Sequence, residues 1–240
     1  MDVLIVGDGH MGQLVYENLN EQHEVTIISH LDATNITQLP NAFDIIIDFS
    51  HPDNLQGICQ FVSQKPTPIV IATTGYSDEQ FEQIKELGQH MPILYSANYS
   101  FGIILMNRVA KQMAHVLSEH FDIEIIEKHH HRKIDAPSGT AKMLVDSLNE
   151  ELNYNIVHGR VGEVTRSKKE IGVHTIRGGS IVGEHEILFA GADEILSIKH
   201  TALSKVIFAK GAIQAALWLV KQENNLYSME DVLFANEKPH

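Results

Sequence analysis

A strand-forming run, a set of three glycines and the start of a helical period follow one another in VLIVGDGHMGQLV, residues 3–15. That succession constrains the fold more than any other part of the chain. Val3 to Val6 reads as a buried strand, and Met11, Leu14, Val15 and Leu19 recur at helical spacing just beyond it. Between them Gly7, Gly9 and Gly12 form the pattern G-x-G-x-x-G. In this setting the first glycine permits a tight turn and the second lets backbone approach a pyrophosphate. The third allows the helix to lie close to the strand, and the helix N-terminus offers unpaired N–H groups to the anion. The competing reading is a glycine-rich turn in an α/β protein that binds no nucleotide.

The same alternation continues. Val25 to Ile28, Ile45 to Phe49, Ile69 to Thr73 and Ile93 to Ser96 read as strands. Ser77 with Gln80 makes a capping box ahead of a helix, and Ile103 to Leu117 has helical periodicity. Strands alternating with helices predict a Rossmann-like, doubly wound parallel sheet over about the first hundred residues. Ligands of such sheets sit at the strand C-termini, where IATTGYS and YSANYSFG fall; both loops are also compatible with ordinary turn chemistry. At the end of the second strand stand Ser29 and His30, with Asp32 placed beyond the strand and no Arg nearby. Neither NADH nor NADPH is favoured by that pattern.

After about Phe121 the rhythm changes. Phe121, Ile123 and Ile125 alternate with Asp122 and Glu124, as in a half-buried strand, and a helix follows with Ala141, Leu144, Val145, Leu148 and Leu152 on one face. VGEVTRS, IGVHTIRGG, VGEHEILFAG and EILSIKHTA then predict a mostly antiparallel sheet. A last helix carries Ala209, Ala212, Ile213, Ala216, Leu217 and Val220 on the face that would return to the first domain. The expected organisation is a nucleotide domain, 1–100 with 209–240, and an inserted α+β domain, 101–208.

A net charge of -13 argues against nucleic acid or an anionic membrane as partner. No apolar run approaches the ~18 residues that span a bilayer, and the N-terminus lacks a basic secretory n-region. The single Cys59 excludes an internal disulfide and fits a reducing cytoplasm. Against that acidic background EIIEKHHHRKIDAPSGTAKML, residues 124–144, gathers histidines and fixed cations. A metal site would need further ligands at recognisable spacing, and Arg132 and Lys133 would repel the ion. A solvated basic strand end is a second reading. The third is a pocket for a small anion: Ser138-Gly139-Thr140 opens a helix whose first-turn N–H groups can hold a carboxylate, beside histidines able to transfer protons.

Residues 127–141, EKHHHRKIDAPSGTA, resemble the signature E-x-H-H-x-x-K-x-D-A-P-S-G-T of the dihydrodipicolinate (4-hydroxy-tetrahydrodipicolinate) reductase family. The likeness extends to the glycine loop, IDFSHP, ATTG, SANYSFG, IRGGSIVGEHEILFAG and FAKGAIQAALWL, and so to nearly the whole chain. It implies NAD(P)H-dependent reduction of a cyclic imine carrying two carboxylates, in lysine and diaminopimelate biosynthesis, by a cytoplasmic homotetramer. His129 and Lys133 are then the catalytic proton donors, with His130, Ser138, Gly139 and Thr140 on the substrate. The cofactor, NADH or NADPH, falls to Gly7, Asp8, Gly9, His10, Met11 and Gly12, to Ala72, Thr73 and Thr74, and to Ser96, Ala97, Asn98 and Tyr99. His131 matches no fixed position, and Lys205 stands where many members have Arg. The same scaffold also suits another dinucleotide-dependent imine or amino-acid oxidoreductase, or a nucleotide-sensing protein without turnover.

Overall fold

The computed structural model describes residues 1–19, 22–32, 36, 38, 39 and 42–235. The chain forms two compact units, Met1–Phe101 with Lys205–His240, and Gly102–Ser204. Among the described residues no helix is long and apolar enough to cross a membrane.

With elements numbered along the chain, the first unit contains β1 (Asp2–Val6), α1 (His10–Asn18), β2 (Glu24–Ile28), β3 (Ile45–Asp48), α2 (Leu55–Gln64), β4 (Ile69–Ile71), α3 (Asp78–Gly88) and β5 (Pro92–Tyr95). The returning chain adds α6 (Val206–Leu219), β11 (Asn225–Tyr227) and α7 (Met229–Leu233). The strands lie in the order β11-β5-β4-β3-β1-β2, and every pair is parallel. Parallel strands covered on both faces need apolar side chains at every position. Accordingly Val3 to Val6, Ile45 to Ile47 and Ile69 to Ile71 are all fully buried. Helix α6 contacts α1, β3, β4 and β5, and it approaches closely because Ala209, Gly211, Ala212, Ala215 and Ala216 are small. A Cβ on Gly211 would lie 1.8 Å from the Tyr99 carbonyl oxygen. The capping box opens α3, where Ser77 Oγ accepts from Gln80 N at 3.2 Å and Gln80 Oε1 accepts from Ser77 N at 3.0 Å.

The second unit consists of α4 (Phe101–Leu117, entered from the first unit), β6 (Asp122–His129), α5 (Gly139–Leu152), β7 (Asn155–His158), β8 (Glu170–Arg177), β9 (Gly183–Ala190) and β10 (Ile195–Ala202). Its sheet runs β10-β9-β6-β8-β7. Strand β9 is antiparallel to both β10 and β6, while β8 is parallel to both β6 and β7. The parallel half arises because α5 carries the chain from β6 back to the start of β7. Ile103, Met106 and Ala110 of α4, with Leu144, Val145 and Leu148 of α5, pack on Ile123, Ile125, Ile171, Val173, Ile187 and Phe189. The strand expected over VGEVTRS does not form. Gly159 and Gly162 take φ of 66° and 80°, which turns the chain out of the sheet, and Val161 and Val164 are exposed. Arg166 instead reaches from this loop to Asp122 Oδ1 at 2.6 Å and Glu124 Oε1 at 3.0 Å.

Candidate active site

The loop between β1 and α1 is shaped by contact and by open space. Gly7 has φ of 102°, and a Cβ there would lie 2.3 Å from the Phe49 carbonyl oxygen. A Cβ on Gly12 would lie 1.8 Å from the Gly7 carbonyl oxygen. Around Gly9 nothing lies within 4 Å of such an atom. Gly9 is also the N-cap of α1 and brings no side-chain cap to its first N–H groups. Two glycines are therefore required by the protein's own packing, and the middle one leaves backbone open to a ligand.

A cleft of about 670 Å³ adjoins this loop, lined by Met11, by residues 49–53 after β3 and by residues 72–77 after β4. Asp48, fully buried at the end of β3, ties the two later segments together. It accepts from Ser50 N at 3.2 Å, from Ser50 Oγ and from Tyr76 Oη at 3.2 Å, while Ser50 N also donates to Thr73 Oγ1 at 2.8 Å. Burial pushes the Asp48 carboxyl up, against the pull of these hydrogen bonds. Ala72, Thr73 and Thr74 line the cleft, whereas Ser96 to Tyr99 do not appear among its walls. Ser96 Oγ donates to the Asn98 carbonyl at 2.7 Å, and buried Tyr99 donates to the Ile71 carbonyl at 2.8 Å; Ala97 alone of the four is exposed. Beyond β2, His30 Nε2 lies 3.0 Å from Asp32 Oδ2, so a carboxylate does come to the end of that strand, through a histidine.

In the second unit the strand period creates the site. The alternation that buries Ile123 and Ile125 in β6 continues to Glu127 and His129, on the same face at the strand's C-terminal end. The neighbouring strands then supply partners by register. His185 of β9 stands opposite Glu127, and Thr175 and Arg177 of β8 stand beside Glu127 and His129. Glu127 Oε2 lies 2.6 Å from His129 Nδ1 and accepts from Arg177 at 2.8 Å. Its Oε1 accepts from Arg177 at 2.8 Å, Thr175 Oγ1 at 3.0 Å and Ser138 N at 3.0 Å. The Arg177 guanidinium is thus a fork on Glu127, and it also donates to the Asp135 carbonyl at 2.6 Å.

The turn after β6 closes onto this carboxylate. Ser138, the N-cap of α5, accepts from Ala141 N at 3.2 Å through Oγ, which lies 3.0 Å from His185 Nε2. It is buried, with its N–H on Glu127, so its polar groups face the protein. Gly139 and Thr140 occupy the first two positions of α5, and Gly139 is exposed with nothing within 4 Å of a Cβ. Lys133 Nζ pairs with Asp135 Oδ1 at 2.8 Å. His130 is half-buried and His131 exposed. The rings of His129 and His185 meet edge to face, centroids 5.2 Å apart.

Electrostatics separates these groups. Burial alone would raise the Glu127 carboxyl, but Arg177, His129, the Ser138 N–H and Thr175 together hold it down to about 2. Burial lowers the His129 imidazole, Glu127 opposes that shift, and the nearby charges of Lys133 and Arg177 add to it. Burial also pushes His185 down to about 4, with His129 acting the same way. The resting state is therefore an ionised glutamate beside two neutral imidazoles. Among the described residues no group of three or more His, Cys, Asp or Glu side chains is arranged to hold a metal ion.

Two family models match the chain. Dihydrodipicolinate reductase, N-terminus, covers residues 1–99, and dihydrodipicolinate reductase, C-terminus, covers residues 102–233. The chain belongs to the dihydrodipicolinate reductase family. A 4-hydroxy-tetrahydrodipicolinate reductase of Alkaliphilus oremlandii is 46% identical over 240 residues, covering 97% of this chain and 98% of that protein. Its counterpart in Clostridium novyi is 42% identical over 238 residues, covering 94% of each. The solved structure of a dipicolinate-bound dihydrodipicolinate reductase from Paenisporosarcina sp. TG-14 has a TM-score of 0.74 at 24% identity, covering 95% of this chain and 97% of that one, and shares the fold.

For a member of this reductase family, the residues that reading the chain left without a role are Glu127, Arg177, His185 and Asp48. Glu127 carried a signal, since the period-2 alternation through Ile123 and Ile125 reaches it. Arg177 and His185 carried none, because only strand register brings them to β6.

Proposed function

We propose that the chain reduces 4-hydroxy-tetrahydrodipicolinate, as its curated relatives are named for doing, with NADH or NADPH as reductant. A dinucleotide fits the first unit because Gly9 leaves backbone open at an uncapped helix start while Gly7 and Gly12 admit no side chain. Gly7 to Gly12 would hold its pyrophosphate, and Ala72, Thr73 and Thr74 would line its cleft. When bound, the dinucleotide supplies the hydride. Loss of the substrate's hydroxyl as water leaves a conjugated imine. The product then gains a hydride at C4 and a proton at the adjacent carbon.

The residues of the second unit hold that proton and the substrate's charge. Neutral His129 has its Nδ1 side on Glu127, so Nε2 carries the lone pair that can receive and return a proton. Lys133 supplies a second proton source whose charge is felt at His129. His130, Gly139, Thr140 and the start of α5 bind carboxylate, and Ser138 fixes that turn from within. The Glu127–His129 pair, 2.6 Å apart and tied to this helix start through the Ser138 N–H, is the observation that carries the reading. Assembly as a cytoplasmic homotetramer belongs to it as well, on the family resemblance.

The test is oxidation of NADH and NADPH followed with substrate generated in place by the preceding synthase, and with pyridine-2,6-dicarboxylate as inhibitor. Turnover with at least one cofactor and competitive inhibition are expected; no turnover with either sinks the reading. The glycines give a second check. Gly9→Ala should fold normally and weaken cofactor binding at least ~10-fold, since an added methyl meets nothing in the protein. Gly12→Ala should cost several kcal/mol of stability, on the order of 3, because its methyl meets backbone 1.8 Å away. Thermal melts and fluorescence titration with NADH separate the two, and equal stability losses would count against the open-backbone argument.

A further inference from the structure

We infer that Glu127 is the positioning residue for His129: its carboxylate fixes the imidazole as the Nδ1–H tautomer and leaves Nε2 to exchange the proton. The use of that proton rests on the reductase reading; the tautomer does not.

Geometry carries the inference. Glu127 has no exposed surface, so its only partners are those the protein provides. An ionised carboxylate accepts and never donates, so the nitrogen 2.6 Å away must carry hydrogen. Strand alternation places residues i and i+2 on one face, which sets Glu127 and His129 side by side without a turn or a flexible linker. On the adjacent strand Gly183 leaves room for the ring: a Cβ there would stand 3.1 Å from His129 Nε2. The Arg177 fork keeps the carboxylate ionised, which prevents it from taking the proton it orients. The Ser138 N–H on the other carboxylate oxygen, Oε1, couples the device to the start of α5, where the substrate's charge is bound. The low position of the Glu127 carboxyl agrees with this account.

The alternative is that Glu127 serves only as Arg177's ion-pair partner. The two accounts differ in what Glu127→Gln does. One oxygen position faces three donors, from Arg177, Thr175 and Ser138, and the other faces two, from Arg177 and His129. At the first position two of the donors, Arg177 and the Ser138 N–H, are fixed and only the Thr175 hydroxyl could turn acceptor. At the second only Arg177 is fixed and the histidine can exchange donor for acceptor, so the new amide NH₂ settles on the His129 side. His129 Nδ1 then accepts, and the hydrogen moves to Nε2.

The experiment is ¹⁵N NMR of histidine-labelled protein at neutral pH, with the His129 signals assigned by their loss in His129→Gln. The native chain should show a protonated Nδ1 and a bare Nε2. The opposite tautomer, or an imidazolium, would overturn the inference, and this arm needs no Glu127 variant to fold. In Glu127→Gln the tautomer should reverse. The kcat should fall on the order of 10²–10⁴-fold, with the cofactor KM within about 2-fold of native and the His129 limb of the pH profile moved to lower pH. Full turnover by a folded Glu127→Gln chain would also overturn it. A native chain with no turnover but the expected tautomer would instead point to failure of the reductase reading.

Discussion

Arg177→Met is expected to lower folding stability by about 3–5 kcal/mol at neutral pH, the usual cost of stripping one partner from a buried ion pair. Glu127 is wholly buried, and two of its five contacts come from this guanidinium. Methionine fills much of the volume and returns none of the hydrogen bonds. Urea denaturation at two pH values checks the cause as well as the size. In the native chain Glu127 titrates at about 2 rather than at its ordinary 4.5. Its ionised form therefore contributes stability that is present above about pH 4.5 and is lost as pH falls toward 2. Without Arg177 the folded carboxyl rises, and protonation relieves the burial of an unpaired charge. The deficit of the variant should consequently shrink between pH 7 and pH 3. A deficit independent of pH would mean that lost packing, not charge, explains it.

His129→Gln and Lys133→Ala should each reduce kcat by on the order of 10²–10⁴-fold, the range for removal of a positioned proton-transfer group. The loops proposed to hold the cofactor belong to the other unit, so fluorescence titration should find NADH or NADPH binding unchanged. The two variants should differ in KM. Lys133 is cationic, and its loss weakens binding of a dicarboxylate, whereas neutral His129 contributes mainly to turnover. His129→Gln leaves four of the five contacts on Glu127 in place, so its stability should fall by no more than about 1 kcal/mol. Normal turnover by either variant would remove that residue from the proton-transfer account.

The fully parallel sheet was legible because burial on both faces forces uninterrupted apolar runs, and the β-branched residues of Val3–Val6, Ile45–Ile47 and Ile69–Ile71, each followed by a turn or loop, favour strands. The second sheet was only partly so. VGEVTRS reads as a short β-branched stretch, but Val161 and Val164 are exposed, and Arg166 holds the segment as a loop. The four residues of β7, NIVH, are too short and too polar at both ends to announce a strand, so the parallel pairing with β8 was missed. In the candidate site, the histidines, Lys133 and the helix start are adjacent in sequence and could be weighed together. What holds them in working order is not adjacent. Arg177 lies 50 residues from Glu127, and Ser138 and His185 are 47 apart; pairing register makes the first two neighbours, and the turn after β6 brings Ser138 onto His185. Loops that satisfy themselves are equally hidden, as Ser96 to Tyr99 illustrate. Their hydroxyls read as free polar groups in sequence, and the structure shows Ser96 and Tyr99 bonded within the protein while Ala97 is exposed.

The path of the chain through its two units has a consequence for how the protein is made. Residues 102–204 are contiguous, and all the strands of their sheet are present once β10 has been synthesised. The first unit leaves the ribosome first but lacks α6 and the edge strand β11 until residue 227 has been added. At about 5–20 residues per second, the interval between Phe101 and Tyr227 is roughly 6–25 s. During that time the β5 edge of the nascent parallel sheet has no neighbour, and the faces destined for α6 are bare. The half of the molecule begun first is the half completed last.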